Sequence, residues 1–200
     1  MARTVFTPGD EGVNAYALLT SIVVPRAIAW VSTVSPEGRG NLAPHSFFTV
    51  ASNRPPTVLF CSLGRKDTVR NVEATGEFVV NVASEPLFEQ VNASSAPFEH
   101  GDDEAEELHI ETEPSVTVAP PRVVASPASI ECRLDRIVEV GTSYVVLGTV
   151  TTITVRDDAL VDGRPAMERL RPVSRLGSDE WGLPPEVFHL TRPQSPDDVR

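Results

Sequence analysis

Lysine is nearly absent from this chain. Its 200 residues carry 17 lysines and arginines together, and Lys66 is the one lysine among them. A biased composition explains arginine wherever the two cations are interchangeable. It does not explain the exception, because an ammonium is a compact point charge and a guanidinium a planar fork. Cysteine is scarce as well. Cys61 and Cys132 stand alone in apolar stretches without the spacing of a metal site, which points to buried, reduced thiols rather than a disulfide or a ligand pair. A basic excess is missing too, since the formal net charge is −11. Such a field repels phosphate backbones and excludes a general nucleic-acid surface, so any anion must be held locally. No apolar run approaches the ~18 residues of a membrane span, and "MARTVFTPGDEGVNAY" has no charged segment followed by an apolar one. The expected location is the cytoplasm.

Hydrophobic residues make up 40% of the chain, enough for one sizeable core at this length. The expected organisation is one domain over residues 1–183 and a proline-rich polar tail over 184–200, which either drapes over a neighbour or is disordered. Within the domain, "GVNAYALLTSIV" (12–23) predicts a short helix and "AIAWVSTVS" (27–35) a strand. "TVLFCSL" (57–63) is a short apolar strand, and "DTVRNVEATG" carries Val69 and Val72 three apart between a capping Asp67 or Thr68 and Gly76, which predicts a helix. "EFVVNVA" (77–83) returns to strand, 85–95 reads as a second helix, and "PFEHGDDEAEELHIETEPS" as an exposed acidic loop with one helical turn. Residues 128–140 and 143–155 flank Gly141 and Thr142 as the clearest hairpin. Many strands, few helices and no βαβ rhythm predict a mainly β fold, a closed antiparallel barrel with helices outside.

Two segments carry chemistry. "RKDT" lies between an apolar strand and a helix start, where unpaired amides and the positive end of the helix dipole converge. Lys66 adds a charge, Thr68 a hydroxyl, and Arg65 or Arg70 a second cation, together a place for a phosphomonoester dianion. The competing reading is an ordinary helix start with solvated basic residues. In "GNLAPHSFFTV" (40–50), Pro44 interrupts a β-run. A bulge there turns backbone groups toward the edge of a flat heteroaromatic ring with Phe47 or Phe48 packed below; the alternative is an edge strand with a purely structural bulge.

From "PRAIAWVSTVSPEGRGNLAPHSFF" through "GRKDTVRN" to "PPRVVASPASIECRLDRIVEV" and "LRPVSRLGSDEW", the chain closely resembles the flavin reductase-like, FMN-binding split-barrel family over roughly residues 14–182. The resemblance implies a six-stranded Greek-key split barrel, a homodimer with FMN near the subunit interface, NADH or NADPH as donor, and a partner oxygenase fed with reduced flavin. It further implies flavin contacts from Ser32 and Thr33, from Asn41, Ala43, Ser46 and Phe47, and, as lesser candidates, from Ser62 and Leu63. Lys66, Asp67 and Thr68 match the family's phosphate segment, Asn71 the asparagine after it, and Arg175 a late arginine on the flavin or nicotinamide side. Ser178 and Trp181 depart from the family's usual glycine and tyrosine. His45 reads as a core or rim histidine rather than a catalytic acid. His100 and His109 lie in an acidic loop without metal-ligand spacing, which reads as a solvated surface. No Rossmann glycine fingerprint is present, and the family resembled does not use one. Two classes of function follow: an enzyme moving hydride from NAD(P)H to flavin, or a flavoredoxin-like electron carrier with little NAD(P)H activity of its own.

Overall fold

The computed structural model describes residues 1–199; Arg200, the end of the expected tail, lies outside the described residues. The main elements are α1 (Ala15–Ile22), β1 (Ala29–Val34), β2 (Gly40–His45), β3 (Phe48–Asn53), β4 (Pro56–Leu63), α2 (Asp67–Thr75), β5 (Glu77–Val82), α3 (Phe88–Ala93), α4 (Glu104–Glu107), β6 (Ala128–Val140) and β7 (Ser143–Val155). The sheet runs β2-β1-β5-β6-β7-β4-β3, antiparallel throughout. β2 and β3 stand at its two edges, yet only Ser46 and Phe47 separate them in the chain. A chain that passes from one edge to the other in two residues closes the sheet. Counted as one bent strand, β2 and β3 complete the six-stranded barrel that the family resemblance implies. At the bend the Cys61 amide donates to the Phe47 carbonyl at 2.9 Å, which ties it to β4.

Alternation along β1 feeds two cores, because successive side chains leave opposite faces of a strand. Ala29 and Val31 point into the barrel with Val58, Phe60 and Phe78, while Trp30 packs outside with Leu42, Leu87 and Val91. The indole N–H of Trp30 donates to Ser94 Oγ at 2.9 Å, so the outer core carries a satisfied polar handle. α2 plugs the barrel with Val69 and Val72, both fully buried, and stops at Gly76 in the left-handed conformation with its N–H on the Val72 carbonyl. Gly148 is a close approach: a Cβ there would stand 2.2 Å from Phe78 Cζ.

Three local expectations change. The β1–β2 register runs unbroken from Ala29↔His45 to Val34↔Gly40, so Pro44 creates no bulge and instead sits on an edge strand, where a missing N–H removes no ladder bond. The break comes two residues later, at Ser46–Phe47. The N-cap of α2 is Lys66 rather than Asp67 or Thr68, and no side chain caps it. Helix 85–95 divides into a 3₁₀ turn, Glu85–Leu87, followed by α3. Beyond the paired strand residues Trp181 and Gly182, residues 183–199 form no strand and end in a 3₁₀ turn at Pro196–Val199.

Candidate functional site

A cleft of about 520 Å³ opens between the β2–β3 bend, the end of β4, the start of α2 and the segment 94–100. Of the residues singled out from sequence, Asn41, Ala43, Ser46, Phe47, Ser62, Leu63, Lys66, Asp67 and Thr68 all line it. They come from three stretches that only the barrel closure brings together. Asn71 lines a second, smaller cavity beside the first.

Ser32, Thr33 and Arg175 are not brought to the cleft. Ser32 Oγ accepts from Asn81 Nδ2 at 2.8 Å, and Thr33 Oγ1 accepts from Asn71 Nδ2 at 3.1 Å, both in buried positions. Arg175 stacks over the Trp181 ring at 5.0 Å and donates to the Ser178 carbonyl at 2.6 Å. The two residues that depart from the family pattern are thus the ones that hold this arginine. Its strand pairs with Arg26–Ala27, and the Arg26 guanidinium lies 5.9 Å from the centre of the Phe47 ring at the cleft.

The phosphate-type corner is built from α2. Because its N-cap is a lysine, whose side chain can accept no hydrogen bond, the first amides of the helix have no capping oxygen. The Lys66 ammonium is exposed and has no carboxylate partner among the described residues. Thr68 is buried, and its hydroxyl accepts from Asn41 Nδ2 at 3.2 Å and lies 3.4 Å from His45 Nε2. Burial, opposed by a Cys61 backbone hydrogen bond and helped by the nearby Lys66 charge, lowers the His45 pKa from 6.5 to about 4. His45 is therefore neutral at physiological pH, and the corner's net positive charge resides on Lys66 and the helix dipole.

The remaining charges nearby are occupied. Arg65 pairs with Glu73 at 2.5 Å and Arg70 with Asp67 at 3.2 Å, so neither stands free as the second cation anticipated from sequence. Asp67 itself faces the segment opposite: Oδ1 meets His100 Nδ1 at 2.5 Å, and Oδ2 accepts the Gly101 N–H at 3.0 Å. Burial pushes its carboxyl up, but the Gly101 amide, His100 and Arg70 outweigh this and hold it below the usual range.

Sequence reasoning did not find Tyr16, Pro97, Phe98 or Glu104 on this cleft. Glu104 gave no signal, since it is one carboxylate in an acidic run. In the structure it is buried, and its Oε2 takes the Leu42 amide on the free edge of β2 at 2.7 Å. Burial outweighs that bond and raises its pKa. Cys61 also differs from expectation. It is half-buried and on the cleft wall, whereas Cys132 is fully buried; both are free thiols.

The flavin reductase like domain family matches residues 21–170. The chain belongs to this family. An uncharacterised protein of Halalkalibacterium halodurans is 38% identical over 190 residues, covering 89% of this chain and 90% of that one. Nitrilotriacetate monooxygenase component B from Bacillus cereus superposes with a TM-score of 0.90 at 29% identity, covering 95% of this chain and all of that one. Pseudomonas fluorescens 2-nitrobenzoate 2-nitroreductase superposes with a TM-score of 0.87 at 28% identity, covering 96% and 97%. The closed barrel is the split barrel of flavin reductases, and a flavin-related oxidoreductase is the class these findings support. No helix among the described residues is long and apolar enough to cross a membrane.

Proposed function

We propose that this family member binds FMN in the main cleft and uses NADH or NADPH to reduce it, supplying reduced flavin to a partner oxygenase or redox protein. The observation that carries the reading is the unpaired Lys66 ammonium at an uncapped helix start, facing a cleft large enough for a flavin. A helix entrance beside a free cation suits a phosphate dianion, so the donor set present fits the mononucleotide.

In this reading Lys66, Thr68 and the α2 amides hold the phosphate, with Asn41 and His45 fixing the Thr68 hydroxyl. The β2–β3 bend around Ala43, Ser46 and Phe47 positions the ring, and Ser62 and Leu63 close the β4 side. Asn71, Ser32 and Thr33 support the corner from behind, and Asp67 acts through the opposite wall rather than as a ligand. Arg175 shapes the rim through Trp181 and Arg26. Hydride acceptance is the flavin's own chemistry; the chain binds, orients and shields it. We read residues 1–183 as the flavin-binding domain and 184–200 as an appended tail. We also read the protein as a homodimer, because α1 and its C-cap Val23 leave Tyr16, Leu19, Ile22 and Val23 exposed. The similarity to an oxygenase component B supports the partner part of the proposal.

Lys66 tests it. Loss of one charge-assisted contact costs about 1.5–3 kcal/mol, so Lys66→Ala weakens FMN about ten- to a hundredfold by fluorescence quenching. Riboflavin, which lacks the phosphate, is spared, and Lys66→Arg restores part of the loss. Equal weakening of both flavins rules the phosphate role out. Anaerobic addition of NADH and NADPH to the FMN-loaded protein reads out the reductase step. A bound flavin that neither donor bleaches points to the flavoredoxin-like carrier instead.

A further inference from the structure

The second cavity, about 310 Å³, lies next to the phosphate corner, and Asn41, Asp67 and His100 line both spaces. Two of these shared residues touch, Asp67 Oδ1 to His100 Nδ1 at 2.5 Å, and Asp67 Oδ2 accepts the Gly101 N–H at 3.0 Å. Arg39 braces the same point from the far side, its Nη1 donating to the Gly101 carbonyl at 3.2 Å. The His100 side chain is 73% exposed, so the partition is a removable imidazole rather than a packed core element.

We propose that the Asp67–His100 contact is a specificity partition: it blocks the path from the phosphate corner into the second cavity and so selects a flavin mononucleotide over a flavin dinucleotide. This rests on the FMN reading above. A phosphate held by Lys66 and the α2 amides has its distal oxygens near Asp67. A monoester ends there. A dinucleotide continues as a diester through the space that His100 fills, beside an Asp67 carboxylate that Arg70 pairs with at 3.2 Å, so the block is steric. Discrimination built from a steric block is the kind that rejects a larger ligand without weakening the smaller one. Beyond the partition the cavity has what an adenosine half needs, since the Arg39 guanidinium offers a plane and a cation and Glu37 a carboxylate for ribose hydroxyls.

His100→Ala is the test, because it removes the imidazole and leaves the Gly101 N–H on Asp67, which keeps the wall in place. Titrating the flavin-free protein with FMN and with FAD, the native chain is expected to favour FMN at least about tenfold. His100→Ala is expected to tighten FAD about tenfold while FMN changes less than about twofold. In the double variant His100→Ala, Arg39→Ala the gain for FAD is lost and FMN is again unchanged. A native chain that binds both flavins equally overturns the partition, as does a His100→Ala variant in which both affinities move together. Failure of the FMN reading looks different, since it shows as an FMN affinity indifferent to Lys66.

Discussion

Two buried polar clusters sit in this barrel, and they are finished in opposite ways. Beneath β5 and β6, Asn81 spends its whole amide inside the protein. Nδ2 donates to the Trp30 carbonyl at 3.1 Å and to Ser32 Oγ at 2.8 Å, while Oδ1 accepts from the Val123 amide and Ser129 Oγ, each at 2.9 Å. Glu131, fully buried close by on β6, accepts from the Val116 amide at 2.8 Å, the Thr117 amide at 2.6 Å and the Thr117 hydroxyl at 2.7 Å. At the cleft, by contrast, Thr68 has partners on one side only, the α2 amides are uncapped, and Lys66 has no counter-ion among the described residues. A polar cluster that satisfies itself holds a fold together; one that keeps free donors at a cleft mouth is where the proposed phosphate sits.

The largest effect that sharpens this contrast comes from Glu131. Glu131→Ala removes the buried carboxylate that ties the exposed Val116–Thr117 segment to the sheet and leaves a cavity in its place, and the expected loss is about 1–3 kcal/mol of stability, measured by urea unfolding. Under the proposed FMN reading, the folded fraction keeps the native flavin affinity. Little change in stability would erase the distinction between the clusters.

A smaller effect follows from pH. His45 is the cleft cluster's buried base, and its pKa drops from 6.5 to about 4 on folding. The unfolded chain therefore binds the proton first, so this residue's contribution is intact above pH 6.5 and lost as pH falls toward 4. Glu131, lowered despite its burial by the Val116 and Thr117 donors, acts with the same sign but only below the ordinary glutamate value of 4.5. Unfolding of the flavin-free protein at pH 7 and at pH 5 is expected to show a loss that His45→Gln removes and Glu131→Gln does not. If His45→Gln leaves the loss unchanged, the imidazole is not the group that titrates.

The smallest effect is expected from the thiols, which belong to neither cluster. Burial raises the Cys61 pKa and pushes that of Cys132 up to about 12, so neither is a thiolate at neutral pH. Cys61→Ala with Cys132→Ala is expected to leave the rate of flavin reduction by NAD(P)H, measured on folded, flavin-loaded protein, nearly unchanged. A large loss would place Cys61, which does line the cleft, inside the chemistry.

Local pattern by itself determined the strands, because the aromatic and β-branched content of "AIAWVSTVS" and the hairpin around Gly141 and Thr142 are properties of neighbouring residues. It also determined the existence of α2, although the cap fell on Lys66, just ahead of the expected Asp67 or Thr68. Family likeness brought the segments 41–47 and 62–71 to one reading as flavin contacts, and the structure gathers most of them on one cleft. Tertiary structure alone decided which of their side chains are free. Asp67 and Thr33 look like ligands in sequence, yet folding engages one with Gly101 and His100 and the other with Asn71, partners 34 and 38 residues away. Lys66 keeps its charge unspent because Asp67, the nearest carboxylate along the chain, is engaged by a wall that sequence reads only as an acidic loop. Hydrogen-bond partners at such separations are chosen by barrel closure, and no local pattern contains them.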